Sequence, residues 1–111
     1  MAKAIVLVHG GAGDIPDSRI PLKLQGVKES VLQGIKSLLK DHNGRQAICE
    51  AVTFMEDDSA FNAGYGSMLN EDGEVEMDAA LMDGENLALG GIAAVSKYQR
   101  PRILVVVIWN F

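Results

Sequence analysis

Several residue types are scarce in this sequence, and each scarcity excludes something. A single cysteine, Cys49, rules out an internal disulfide and fits a reducing compartment. Two histidines, His9 and His42, stand far apart, so a histidine metal site or a Ser-His-Asp triad would have to recruit one of them alone. No apolar run approaches the ~18–20 residues of a membrane helix. The run at 5–8 is also too short for the core of a signal peptide, which makes the cytoplasm the expected compartment and a membrane no expected partner. Basic residues are outnumbered, 10 Lys+Arg against 15 Asp+Glu, for a net charge of −5. An acidic surface repels phosphate backbones, so nucleic acid is not an expected partner. Threonine occurs once, at Thr53.

What remains is the composition of a globular protein, 48% hydrophobic and 23% charged in 111 residues. That length allows at most one domain, burying roughly 60–70% of its unfolded surface. Ala4–Val8 is a continuous aliphatic run that stops at His9-Gly10-Gly11, and it predicts a buried strand. Leu24, Val27, Val31, Ile35 and Leu38 recur at three- and four-residue steps and predict an amphipathic helix over 20–41. Pro21 suits its first turn, and Ser18 or Asp17 is the expected cap. Gly26 and Gly34 weaken the helix and point to close packing on a sheet. A second helix is predicted over 45–56, with Ile48, Ala51, Val52 and Met55 on one face.

From Gly64 the period becomes two. Val75, Met77, Ala79 and Leu81 alternate with Glu76, Asp78, Ala80 and Met82. With a turn at 83–86 and a further strand over 87–95, this predicts a hairpin. Asn70-Glu71-Asp72-Gly73 reads as an earlier turn of the same kind. One strand, two helices and then a meander argue for α/β layering of the α+β kind, with helices on one side of a mostly antiparallel sheet.

The glycine loop after the first run fails the known phosphate patterns. Gly11-Ala12-Gly13 is followed by Asp14-Ile15-Pro16, so G-x-G-x-x-G is broken, and no Gly-Lys-Ser/Thr exists. On its own the loop reads as a tight strand exit. The acidic residues Asp72, Glu74, Glu76, Asp78 and Asp83 do not keep EF-hand spacing; Glu74, Glu76 and Asp78 share one strand face that reads as solvated, Asp78 being the one residue of it that also falls in a longer motif. Cys49 has no flanking cation, so a buried inert thiol is expected. Glu56-Asp57-Asp58 closes the second helix with the sign opposite to that favoured at a helix C-terminus, an arrangement that a cation would offset.

Two segments together carry a resemblance. Phe61-Asn62-Ala63-Gly64-Tyr65-Gly66-Ser67-Met68-Leu69-Asn70 runs on through Gly73-Glu74-Val75-Glu76-Met77-Asp78-Ala79, and His9-Gly10-Gly11-Ala12-Gly13 follows the first apolar run. In these the chain resembles the plant-type asparaginase/isoaspartyl peptidase family, N-terminal-nucleophile hydrolases that generate a catalytic threonine by self-cleavage. The resemblance covers about Ile5 to Ser96. It implies a partial αββα sandwich and a hydrolase of the asparagine side-chain amide and of β-aspartyl dipeptides. Residues 1–101 correspond to the N-terminal part of the family's α half, and 102–111 read as a divergent apolar tail.

The resemblance also implies roles. His9, Gly10 and Gly11 match a loop near the self-cleavage point. Backbone carbonyls of Met55, Glu56, Asp58, Phe61, Ala63 and Tyr65 match a loop that wraps a sodium ion, the only cofactor expected. Asn62 matches the asparagine beside the catalytic threonine. That threonine has no counterpart here, because Thr53 lies in a helical pattern and does not follow glycine. The expectation is a chain inactive alone, whose partner is a β half or a full-length homologue, with a small-molecule substrate only in the complete enzyme. A non-catalytic remnant or regulator is the alternative.

Overall fold

In the computed structural model, which describes residues 3–96, the tightest packing is made by the smallest side chains. Helix α1 spans Ile20–Asp41 and helix α2 spans Gly44–Asp57. The positions that α1 buries are Gly26, Ser30, Gly34 and Ser37, and α2 buries Ala47, Cys49, Ala51 and Glu56. A Cβ on Gly34 would stand 3.0 Å from Val6 Cγ1, 3.2 Å from the Ala47 carbonyl oxygen and 3.2 Å from Ala51 Cβ. Ser30, fully buried, donates its hydroxyl to the Ala51 carbonyl at 2.7 Å.

The predicted apolar face of α1 is therefore not the seam. Leu24 and Ile35 are exposed, and Val27, Val31 and Leu38 are half-buried. Hydrophobic periodicity finds large side chains, whereas the closest approach of two backbones selects small ones. Nor do the two glycines lie against a sheet: Gly34 faces α2 and Val6, and Gly26 faces Phe61 and Asp58.

The helix boundaries follow local chemistry. A 3-10 turn, Asp17–Arg19, leads into α1, with the Arg19 N–H donating to Pro16 at 2.8 Å. Arg19 occupies the capping position with no side-chain bond, so neither Ser18 nor Asp17 caps the helix. Left-handed His42 (φ 50°) ends it, donating its N–H to the Leu38 carbonyl at 3.0 Å. Asn43 then caps α2, its side chain accepting from the Gln46 N–H at 3.1 Å.

The first apolar run differs from expectation. Residues 3–12 carry no regular secondary structure and have no ladder partner among the described residues. Val6 and Val8 are half-buried on the helix side, while Ile5 and Leu7 are 83% and 85% exposed. The period-two alternation of a strand is present, but a strand also needs a neighbour, which a single run of sequence cannot specify.

The hairpin is as read. Strands β1 (Met77–Met82) and β2 (Leu89–Val95) pair antiparallel, Met82 opposite Leu89 and Ala79 opposite Ile92. Met77 is buried and Ala79 and Leu81 half-buried, with Asp78, Ala80 and Met82 exposed between them. The register breaks between Met77 and Ala79, where Asp78 Oδ1 accepts the Ala94 N–H at 2.8 Å. The earlier turn also forms, closed by the Asn70 N–H donating to Glu74 at 2.8 Å below a Leu69–Val75 bridge. An ion pair of 3.4 Å between Arg45 and Asp83 ties the hairpin to the start of α2. The result is a mixed α/β arrangement, two packed helices and a two-stranded antiparallel sheet. The sequence segment 102–111 lies outside the described residues.

Candidate functional site

Phe61 anchors the loop that follows α2. It is 4% exposed, and its ring fills the space left open by two glycines. A Cβ on Gly26 would meet Phe61 Cζ at 2.8 Å, and one on Gly10 would meet Phe61 Cε1 at 3.1 Å. Lys23 places its ammonium 5.1 Å from the ring centroid and donates to the Gly10 carbonyl at 3.0 Å. The His9-Gly10-Gly11 segment and the loop after α2, 50 residues apart in sequence, thus meet on one aromatic ring. Gly11 has φ 101°, a conformation side chains disfavour, and its N–H donates to His9 Nδ1 at 3.0 Å.

Asn62 follows directly. Its Oδ1 accepts the Met68 N–H at 2.8 Å, which closes the loop around the 3-10 turn Gly64–Gly66. Asn62 lines a cleft of about 410 Å³ together with Cys49, Glu56, Ser67 and β1. It also lines a smaller cleft of about 230 Å³ with Arg19, Lys23 and Phe61. Cys49 is a buried free thiol. Thr53 Oγ1 donates to the Cys49 carbonyl at 2.7 Å within α2, so its hydroxyl serves the helix. His42 is exposed at the end of α1 and lines neither cleft.

A cation at the 55–66 segment would need oxygen donors. Among the described residues no group of three or more His, Cys, Asp or Glu side chains is placed to hold a metal ion, and Glu74, Glu76 and Asp78 are exposed. Backbone oxygens are the remaining donors. A Cβ on Gly66 would collide with the Phe61 carbonyl oxygen and stand 2.9 Å from that of Ser59, so the loop doubles back closely enough to need glycine there. The Met55, Asp58 and Ala63 carbonyls each accept one backbone N–H, and a carbonyl oxygen has a second lone pair. Ala63 is half-buried, Tyr65 is 73% exposed, and Glu56 is buried at 3% exposure. Oxygen donors of this kind are the type that hard cations take.

The structure thus brings Phe61, Asn62 and the 9–11 segment together. Reading the sequence missed Arg19, which donates to the Ser59 carbonyl at 3.4 Å, and Lys23. Neither carries a motif, since a basic residue in the first turns of a helix looks like any solvated one.

The family model described as "Asparaginase" matches residues 2–107. The chain belongs to the plant-type asparaginase/isoaspartyl peptidase family. Similar curated proteins include the isoaspartyl peptidase/L-asparaginase of Xenopus laevis, 43% identical over 99 residues, which cover 89% of this chain and 32% of that protein. The protein of the same name from Danio rerio is 46% identical, over 87% of this chain and 31% of its own length. The plant-type L-asparaginase of Pyrococcus abyssi is 47% identical, over 86% and 32%. The chain spans about a third of the length of the curated relatives it matches.

Proposed function

We propose that these residues form the N-terminal scaffold of an amidohydrolase acting on the L-asparagine side chain and β-aspartyl dipeptides. On this reading the chemistry depends on a nucleophilic threonine from a β half, and the 111 residues alone are inactive. The observation that carries the proposal is Asn62, fixed by the Met68 N–H at the rim of the larger cleft, while the sole threonine hydroxyl is engaged inside α2. A nucleophile of this class needs a free hydroxyl and an adjacent base, and Thr53 offers no free hydroxyl. Asn62 would orient the incoming threonine. Carbonyls of Met55, Glu56, Asp58, Phe61, Ala63 and Tyr65 would hold a structural sodium ion, which supplies no chemistry beyond fixing the loop. The His9-Gly10-Gly11 segment, resting on Phe61, would stand near the self-cleavage point.

The proposed partner is a β half, and the proposed compartment is the cytoplasm. Among the described residues no helix is long and apolar enough to cross a membrane. A second reading, a non-catalytic partner of full-length relatives, is favoured by the bare Ile5 and Leu7 side chains, which a second polypeptide would cover. The test is ammonia release from L-asparagine, and β-aspartyl dipeptide hydrolysis, with and without a separately expressed β half that begins with threonine. No turnover alone and turnover on mixing is the expected result. Turnover by the purified chain alone would overturn the proposal, and binding to full-length relatives without complementation would favour the second reading.

A further inference from the structure

We infer that Lys23 is a positioning residue: by holding the Gly10 carbonyl and the Phe61 ring together, it ties the 9–11 segment to the 61–68 loop and so sets where Asn62 stands. Lys23 is half-buried on the first turns of α1. Its ammonium donates to Gly10 at 3.0 Å and lies 5.1 Å from the Phe61 centroid. Both contacts use the positive charge, one through a charge-assisted hydrogen bond and the other through the quadrupole of the ring.

Two of the positions against the ring are glycines, Gly10 and Gly26. They offer it no side chain, and Lys23 adds a charged contact from the same helix as Gly26. The peptide bond that follows Phe61 belongs to Asn62, whose side chain closes the loop onto the Met68 N–H. A ring displaced by the loss of Lys23 therefore moves the backbone on which Asn62 is carried. Arg19 acts in the same sense just before α1, from the 3-10 turn to the Ser59 carbonyl, though its bond is longer at 3.4 Å. That Asn62 belongs to a working site rests on the function proposed above. The coupling of Lys23 to the loop does not.

The experiment reads amide hydrogen exchange along the full chain, with no activity required, so failure of the asparaginase proposal would leave its outcome unaffected. Four proteins are compared with the parent: Lys23→Met, which keeps the stem and loses the charge; Lys23→Arg, which keeps the charge; Phe61→Leu; and the double variant Lys23→Met/Phe61→Leu. Lys23→Met is expected to speed exchange at the Met68 amide about tenfold, to shift the Gly11 amide, and to leave the β1–β2 ladder as it was. Lys23→Arg is expected to restore both. In the Phe61→Leu background Lys23→Met should add nothing at Met68. Unchanged exchange at Met68, failure of the arginine variant to restore it, or full additivity in the double variant would overturn the inference. Loss of protection throughout the hairpin would do so too, since Lys23 would then serve general stability and not the position of one loop.

Discussion

A methyl group on Gly66 would lie against the carbonyl oxygens of Phe61 and Ser59. Both are backbone atoms of a closed loop and cannot swing aside as a side chain does. Gly66→Ala is accordingly expected to destabilise the fold by about 1–3 kcal/mol, the usual range for overpacking, and to break the Asn62–Met68 bond. A lowered urea midpoint with faster exchange at the Met68 amide checks it; an unchanged midpoint would mean the loop relaxes freely. Phe61→Ala empties the space between Gly10 and Gly26 and is expected to cost about 3–5 kcal/mol, read from the same denaturation curve. Both glycines of the Gly64-Tyr65-Gly66 turn read from the sequence as loop punctuation, whereas Phe61 and Asn62 stood out only through the family resemblance. Lys23 and Arg19 did not stand out, because what defines them is a distance across the fold and not a spacing along the chain.

At the scale of elements, the two helices and the hairpin were legible because each rests on a local period. α1 begins and ends where the periodic run does, at Ile20 and Asp41, and the β1 alternation of buried and exposed side chains follows the written pattern. The seam between α1 and α2 was legible only in part: Gly34 read as a close-packing position, though against a sheet, while Ser30 adds nothing to a hydrophobic period. Its tightness makes a prediction. Gly34→Leu pushes a side chain into Val6, Ala47 and Ala51 and should lower the thermal midpoint, by about 4–8 °C for each kcal/mol lost. Leu39→Ala, at a position 71% exposed, is the control and should change little. The 55–66 segment, the end of α2 with the loop after it, makes a second. Sodium at fixed ionic strength is expected to raise the midpoint relative to a large organic cation, through binding to the folded loop alone. Gly66→Ala should abolish the difference; equal midpoints for the parent chain in both salts would remove the cation from the proposal.

At the scale of the whole molecule, the described residues leave large apolar side chains exposed, among them Ile5, Leu7, Leu22, Leu39, Leu87 and Leu89. The N-terminal segment is the sharpest case, because it combines a bare apolar side at Ile5 and Leu7 with a backbone that has no ladder partner among the described residues. Unpaired edges with apolar faces recruit other chains. The chain is therefore expected to self-associate, and Ile5→Thr with Leu7→Lys to shift it toward the monomer without loss of helical signal, since neither side chain holds up the α1–α2 seam. Size-exclusion chromatography with circular dichroism at matched concentrations decides the matter. Unchanged association with intact helices would move the sticky surface elsewhere, and lost helicity would mean that the two side chains support the fold from the side that Val6 shares with Gly34.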